Sequence, residues 1–146
     1  MSKKLNNMTP FQKFTLKDNI TDKFTLTVAE LKDYVDFDVK RIYFVQDFKT
    51  DTGAHCHFVE DEFFVMVKGS CIALIDYGNG IEEVTLRRSD AFLARHYVWH
   101  GFKNPSSDAV LLALSSTNYN PDRSDYLENY DEYLKIRDEK LSEYSK

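Results

Sequence analysis

Gly53-Ala54-His55-Cys56-His57-Phe58-Val59-Glu60-Asp61-Glu62-Phe63-Phe64-Val65-Met66-Val67-Lys68-Gly69 is the stretch on which the reading of this chain turns. On an extended strand, residues two apart project to the same face, so His55 and His57 send their imidazoles into one space. Cys56 points the opposite way, which argues against it as a nucleophile. Five positions after His57, Glu62 opens a strongly apolar run that ends at Lys68-Gly69-Ser70. A third imidazole stands beside a large aromatic in Val98-Trp99-His100, and all four histidines fall between residues 55 and 100.

The surroundings of this stretch are of the same β type. Residues 25–28, 40–47, 62–67, 70–76, 82–86, 91–95 and 109–115 are rich in Val, Ile, Phe, Tyr and Thr, with polar or Gly-bearing breaks between most of them. Many short strands at close spacing predict an all-β sandwich or barrel over about residues 11–117. Tyr77-Gly78-Asn79-Gly80 sits between two runs, and its Asn-Gly pair suits the positive φ values of a tight hairpin turn. After Pro121 the pattern changes. Ser124 is a candidate cap for a helix over about residues 124–143, with Asp125 and Glu128 in its first turn and Tyr126, Tyr130, Tyr133, Leu134, Arg137 and Leu141 at helical spacing. That Tyr-rich stripe reads as docking on the outside of the sheets.

With 146 residues, 42% hydrophobic and 14% aromatic, the chain suits a single domain with a real core. A net charge of −5 argues against a nucleic-acid or anionic-membrane partner, since phosphate surfaces are held by clustered Lys and Arg. No apolar run approaches the roughly 20 residues that span a bilayer, and Met1 to Pro10 lacks the apolar stretch of a leader, so a cytoplasmic location is expected. Cys56 and Cys71 are too few for a disulfide framework and are expected to be reduced.

The layout resembles the cupin superfamily, whose first motif is His-x-His, three or four residues, Glu, six residues, Gly; His55, His57, Glu62 and Gly69 match it. His100 and Asn104 match the second motif, while Arg95 and Tyr97 replace its upstream Pro and Gly. A closer resemblance runs from Asp22 onward. Arg41-Ile42-Tyr43-Phe44, the Gly53–His57 segment, Val67-Lys68-Gly69-Ser70, Val98-Trp99-His100 and Ser124-Asp125-Tyr126-Leu127-Glu128-Asn129-Tyr130 look like the nucleotide-sugar 3,4-ketoisomerases. Thr52 stands where that family usually has Arg, and Glu62 where it often has Gln. The resemblance implies a jelly-roll cupin barrel with a C-terminal α-helix, a dTDP-4-keto-6-deoxyglucose substrate in deoxyamino-sugar biosynthesis, a homodimer, and no metal or other cofactor.

Moving a keto group from C4 to C3 requires a proton to leave C3 and one to reach C4, and imidazole suits that traffic near neutral pH. His57 is the expected base. His55 is expected to move protons between the sugar oxygens or to orient the ring, and Tyr43 to hydrogen-bond the oxygen that becomes negative or to position the sugar. Arg41, two residues before Tyr43, faces inward with it, either for bidentate capture of a diphosphate or keto oxygen or for an ion pair with an acid such as Glu62. His100 is read as a hydrogen-bonded core histidine or a site residue, Trp99 as a flat face for thymine or sugar or as core, and Arg95, with Arg87 and Arg88, as a source of positive charge for phosphate. His96 receives no role. Three alternatives stay open: a metal enzyme using His55, His57, Glu62 and His100, a dTDP-sugar 3,5-epimerase, and a non-catalytic sugar-nucleotide-binding cupin.

Overall fold

A computed structural model describes residues 9–146, so most of the Met1 to Pro10 stretch read above lies outside the described residues. Two antiparallel sheets face each other. The first has the order β1 (Phe11–Thr15), β9 (Asp90–Ala94), β6 (Glu62–Lys68), β11 (Val110–Ser115), β4 (Arg41–Val45). The second has the order β10 (Trp99–Lys103), β7 (Ser70–Asp76), β8 (Glu82–Arg87). A short pair, β5 (Cys56–His57) and β12 (Tyr126–Leu127), is joined to the second sheet by a bridge between His55 and His100. β2 (Lys17–Ile20) and β3 (Thr25–Val28) form a separate hairpin.

Phe64, Met66, Ile75, Leu86, Phe92 and Leu111 fill the space between the sheets. β6 is buried on both faces, as its unbroken apolar run requires: its other face carries Phe63, which packs with Phe14, Tyr34 and Leu93 in a second cluster outside the barrel. On β4 the alternation is clean. Arg41 and Tyr43 turn inward, while Ile42 and Phe44 remain 61% and 58% exposed.

Two local expectations change. The β7–β8 hairpin forms, but its left-handed residues are Gly78 (φ 134°) and Gly80 (φ 90°) rather than Asn79, and Asp76 Oδ1 accepts the Gly78 N–H at 2.8 Å. The turn is therefore wider than a two-residue Asn-Gly loop. The C-terminal helix, α1, spans Tyr130–Leu141 with Asn129, not Ser124, as its cap; the Asn129 side chain accepts the Glu132 N–H. Residues 126–127 are extended because they pair with β5. Strand pairing there outcompetes helical spacing.

α1 docks through Tyr133, which is fully buried with Cys56 and Trp99. Its hydroxyl donates to the carbonyls of Asp76 and Tyr97. The Tyr130 hydroxyl and Arg137 both reach the buried Asp76 carboxylate, at 2.7 and 3.2 Å. Among the described residues, no helix is long and apolar enough to cross a membrane.

Candidate active site

The histidines owe their placement to a close crossing of β10 and the segment before β5. His55 and His100 exchange both backbone hydrogen bonds, at 3.0 and 2.9 Å. A Cβ on Gly101 would lie 2.7 Å from Ala54 Cβ and 3.0 Å from its Cα, so only glycine allows this approach. Gly101→Ala is expected to cost about 1–3 kcal/mol by overpacking, and to lower activity because the segment carrying His55 must move. Urea unfolding alongside turnover checks both.

Four side chains converge inside the barrel. His57 Nε2 lies 3.1 Å from His55 Nε2 and 2.9 Å from Glu62 Oε1. His100 Nε2 is 3.2 Å from the same Glu62 oxygen, with its Nδ1 directed at the Val98 carbonyl. The Tyr43 hydroxyl donates to Glu62 Oε2. The other ring nitrogen of His57, Nδ1, is 3.2 Å from both Asp125 Oδ2 and Glu60 Oε2. Glu60 is itself held by Arg41 and by Ser115.

These contacts split the two imidazoles electrostatically. Burial, with the neighbouring His100 and His57, pulls His55 down to about 3, so it is neutral. Burial also works against a charge on His57, but the hydrogen bond to Glu62 and the charges of Glu62, Glu60 and Asp125 outweigh it and raise its pKa. Carboxylates beside both ring nitrogens favour the imidazolium form of His57. Burial would raise Glu62, yet its bonds to His100 and His57 keep it well below the usual range. Burial and the Glu62 charge raise Tyr43, so it stays a proton donor.

A stability prediction follows from the signs. An unfolded histidine titrates near ~6.5. His55, lowered to about 3, contributes stability above pH ~6.5 that is lost as the pH falls toward about 3. His57, raised, contributes stability that is complete below pH ~6.5 and lost as the pH rises through its folded value. Denaturant midpoints measured against pH should show a shallower acid decline in His55→Asn than in the parent.

The imidazole pair opens into a cavity of about 410 Å³ lined by Arg41, Tyr43, His55, His57, Tyr119 and Tyr126. A second cavity of about 160 Å³, lined by Tyr43, Thr52, His55 and His100 among others, reaches into the barrel. A concavity of about 790 Å³ beside β2 and β3 has no imidazole, and chemistry rather than volume places the site at the histidines.

The structure thus brings His55, His57, Tyr43, Glu62 and His100 together, with Arg41 at the edge. Arg41 pairs with Glu60 rather than Glu62. Trp99 and Arg95 lie elsewhere. Trp99 neighbours His100 on a strand and so faces the other way, onto Tyr130 and Tyr133. Arg95 is 6% exposed and bonds Asp36 at 2.9 Å, with Asp61 at 3.9 Å. Thr52 is spent on β10, pairing with Phe102. Sequence reasoning missed Glu60, Asp125, Tyr119, Tyr126 and Arg123. The Tyr126 ring stands over His55 and His57, with centroids 4.9 and 4.6 Å away, and the Arg123 guanidinium lies 4.1 Å from the Tyr126 centroid.

Residues 6–138 match the protein family described as FdtA, WxcM-like, C-terminal. The chain belongs to this FdtA family. The TDP-4-oxo-6-deoxy-alpha-D-glucose-3,4-oxoisomerase of Aneurinibacillus thermoaerophilus is 34% identical to it over 122 residues, 82% of this chain and 86% of that protein. Among solved structures, a 3,4-ketoisomerase from Helicobacter canadensis superposes with a TM-score of 0.77 at 28% identity, over 88% of this chain and 97% of that one. The WlaRB TDP-quinovose 3,4-ketoisomerase of Campylobacter jejuni gives 0.76 at 29%, over 86% and 97%. The cupin barrel with a C-terminal helix that the sequence implied is the architecture of this FdtA-family chain.

Proposed function

We propose that the chain is a dTDP-sugar 3,4-ketoisomerase that converts dTDP-4-keto-6-deoxyglucose to the 3-keto isomer by moving one proton between two histidines. The observation that carries this reading is the 3.1 Å separation of His55 Nε2 and His57 Nε2, with carboxylates beside both ring nitrogens of His57 and burial pulling His55 down. His57 passes its proton through His55 to the C4 keto oxygen and, now neutral, takes the hydrogen from C3, giving the 3,4-enediol. The proton taken from C3 is then returned to C4, and the O3 hydroxyl proton goes to the pair through His55. C3 becomes the ketone, C4 the carbinol, and the pair again holds one proton. Tyr43, kept protonated, donates to the oxygen that gains negative character. Arg41, which lines the cavity and whose Nε has no protein partner among the described residues, and Arg123, stacked on the cavity-lining Tyr126, are the basic groups that suit the diphosphate.

Turnover of the keto-sugar in deuterated water tests the reading. As the proton held by His57 exchanges with solvent, deuterium should appear at C4 of the 3-keto product and, by reversal, at C3 of recovered substrate; incorporation at C5 would point to a 3,5-epimerase, and dTDP binding without any exchange to a binding protein. A metal enzyme is the second reading, because ligand atoms of His55, His57, Glu62 and His100 lie within 4.8 Å of one another. Stoichiometric metal in active protein, with activity lost on chelation, would establish it.

A homodimer is proposed through the outer face of the first sheet, where exposed Ile42 and Phe44 continue into half-buried Leu112 and Leu114. Ile42→Glu with Phe44→Glu should give a monomer in sedimentation. We assign the protein to the cytoplasm, consistent with two cysteines that are both free and buried.

A further inference from the structure

We propose that Asp125 is a positioning residue for His57, keeping a proton on Nδ1 so that only Nε2 exchanges protons; this rests on the ketoisomerase reading above. Asp125 lies 68 positions from His57 in sequence and arrives on the segment that pairs with β5. Its carboxylate is fixed by three consecutive backbone N–H groups. Oδ1 accepts from Phe58 at 3.1 Å and Val59 at 2.7 Å, and Oδ2 accepts from Glu60 at 3.2 Å. Such a run of amides holds an anion in one place without neutralising it by a cation. Oδ2 then faces His57 Nδ1 at 3.2 Å.

Glu60 approaches the same nitrogen at the same distance, but its other oxygen is committed to Arg41 and Ser115. The two carboxylates therefore differ: Glu60 is paired with a guanidinium, whereas Asp125 is held by backbone amides and faces the imidazole. An acceptor fixed at Nδ1 decides the tautomer of a histidine and its orientation. With Nδ1–H bonded to Asp125, the neutral form of His57 has its lone pair at Nε2, the nitrogen that faces His55 Nε2 at 3.1 Å and Glu62 Oε1 at 2.9 Å. That is the nitrogen the proton relay needs.

Asp125→Asn tests this, since it keeps the shape and one carbonyl acceptor for the backbone while placing an NH₂ group where Oδ2 faced other donors. The expected result is a fall in kcat of about 100-fold or more, with KM for the dTDP keto-sugar within about threefold. Nitrogen-15 spectra of His57 at alkaline pH supply the second readout: the neutral ring should carry its proton on Nδ1 in the parent and on Nε2 in the variant. A kcat within threefold of the parent overturns the proposal, as does loss of stability with an unchanged tautomer, which would make Asp125 a backbone brace alone. If the variant does not fold, the parent spectrum decides by itself, because an Nε2–H tautomer there refutes the assignment. A parent that leaves the keto-sugar unturned refutes the ketoisomerase reading, while the tautomer comparison still judges Asp125.

Discussion

His57→Asn should turn over dTDP-4-keto-6-deoxyglucose at least about 10³-fold more slowly than the parent, within the range that a lost general acid–base group commands. Binding of dTDP should change little, because the nucleotide has no need of the imidazole. The amide fills the space of the ring but neither takes a proton from carbon nor hands one to His55. The size of the effect follows from how completely His57 is enclosed: it is 2% exposed, with Asp125 and Glu60 on one nitrogen and Glu62 and His55 on the other. No other imidazole occupies that position. Steady-state kinetics paired with calorimetric titration of dTDP measures the two quantities separately, and near-parent turnover would remove His57 from the chemistry.

Glu62→Gln should act mainly on pH dependence. Glu62 joins Tyr43, His57 and His100 through its two oxygens, and its hydrogen bond and charge are the leading influences that raise His57. Rate should fall on the alkaline side as the histidine pair loses its single proton. Removing the carboxylate charge lowers the His57 pKa, so that alkaline limb should move to lower pH, by about 1–3 units for an opposite charge at this range. The variant should then lose kcat at alkaline pH where the parent keeps it, and approach the parent as the pH falls. An alkaline limb that stays in place would contradict a proton shared by the two imidazoles.

Strand periodicity found the pairs in the interior of this site, and the cupin motifs supplied Glu62 and His100. His55 and His57 two apart, and Arg41 and Tyr43 two apart, face one space because extended chain alternates. The same rule, applied to Trp99 beside His100, sends the indole to the opposite face, where the structure has it. Arg95 could not be placed that way, since its partner Asp36 lies 59 positions away in a segment with no strand pattern. Asp125 and Tyr126 were hidden for a different reason. Their spacing fits a helix, and only pairing with β5, a contact far apart in sequence, draws them out into extended chain. Tyr119 and Glu60 sit in connecting segments, where no periodicity reports which way a side chain turns.

His55, His57, Glu62 and His100 belong to the barrel, but the segment beside them, residues 117–129, carries Tyr119, Arg123, Asp125 and Tyr126 and is moored at its far end by Tyr130, Tyr133 and Arg137 around the buried Asp76. Asp125 and Tyr126 tie this segment to His57, while Tyr119 lines the mouth. Substitution of Tyr119 or Arg123 would alter that mouth while every barrel strand beneath keeps its sequence.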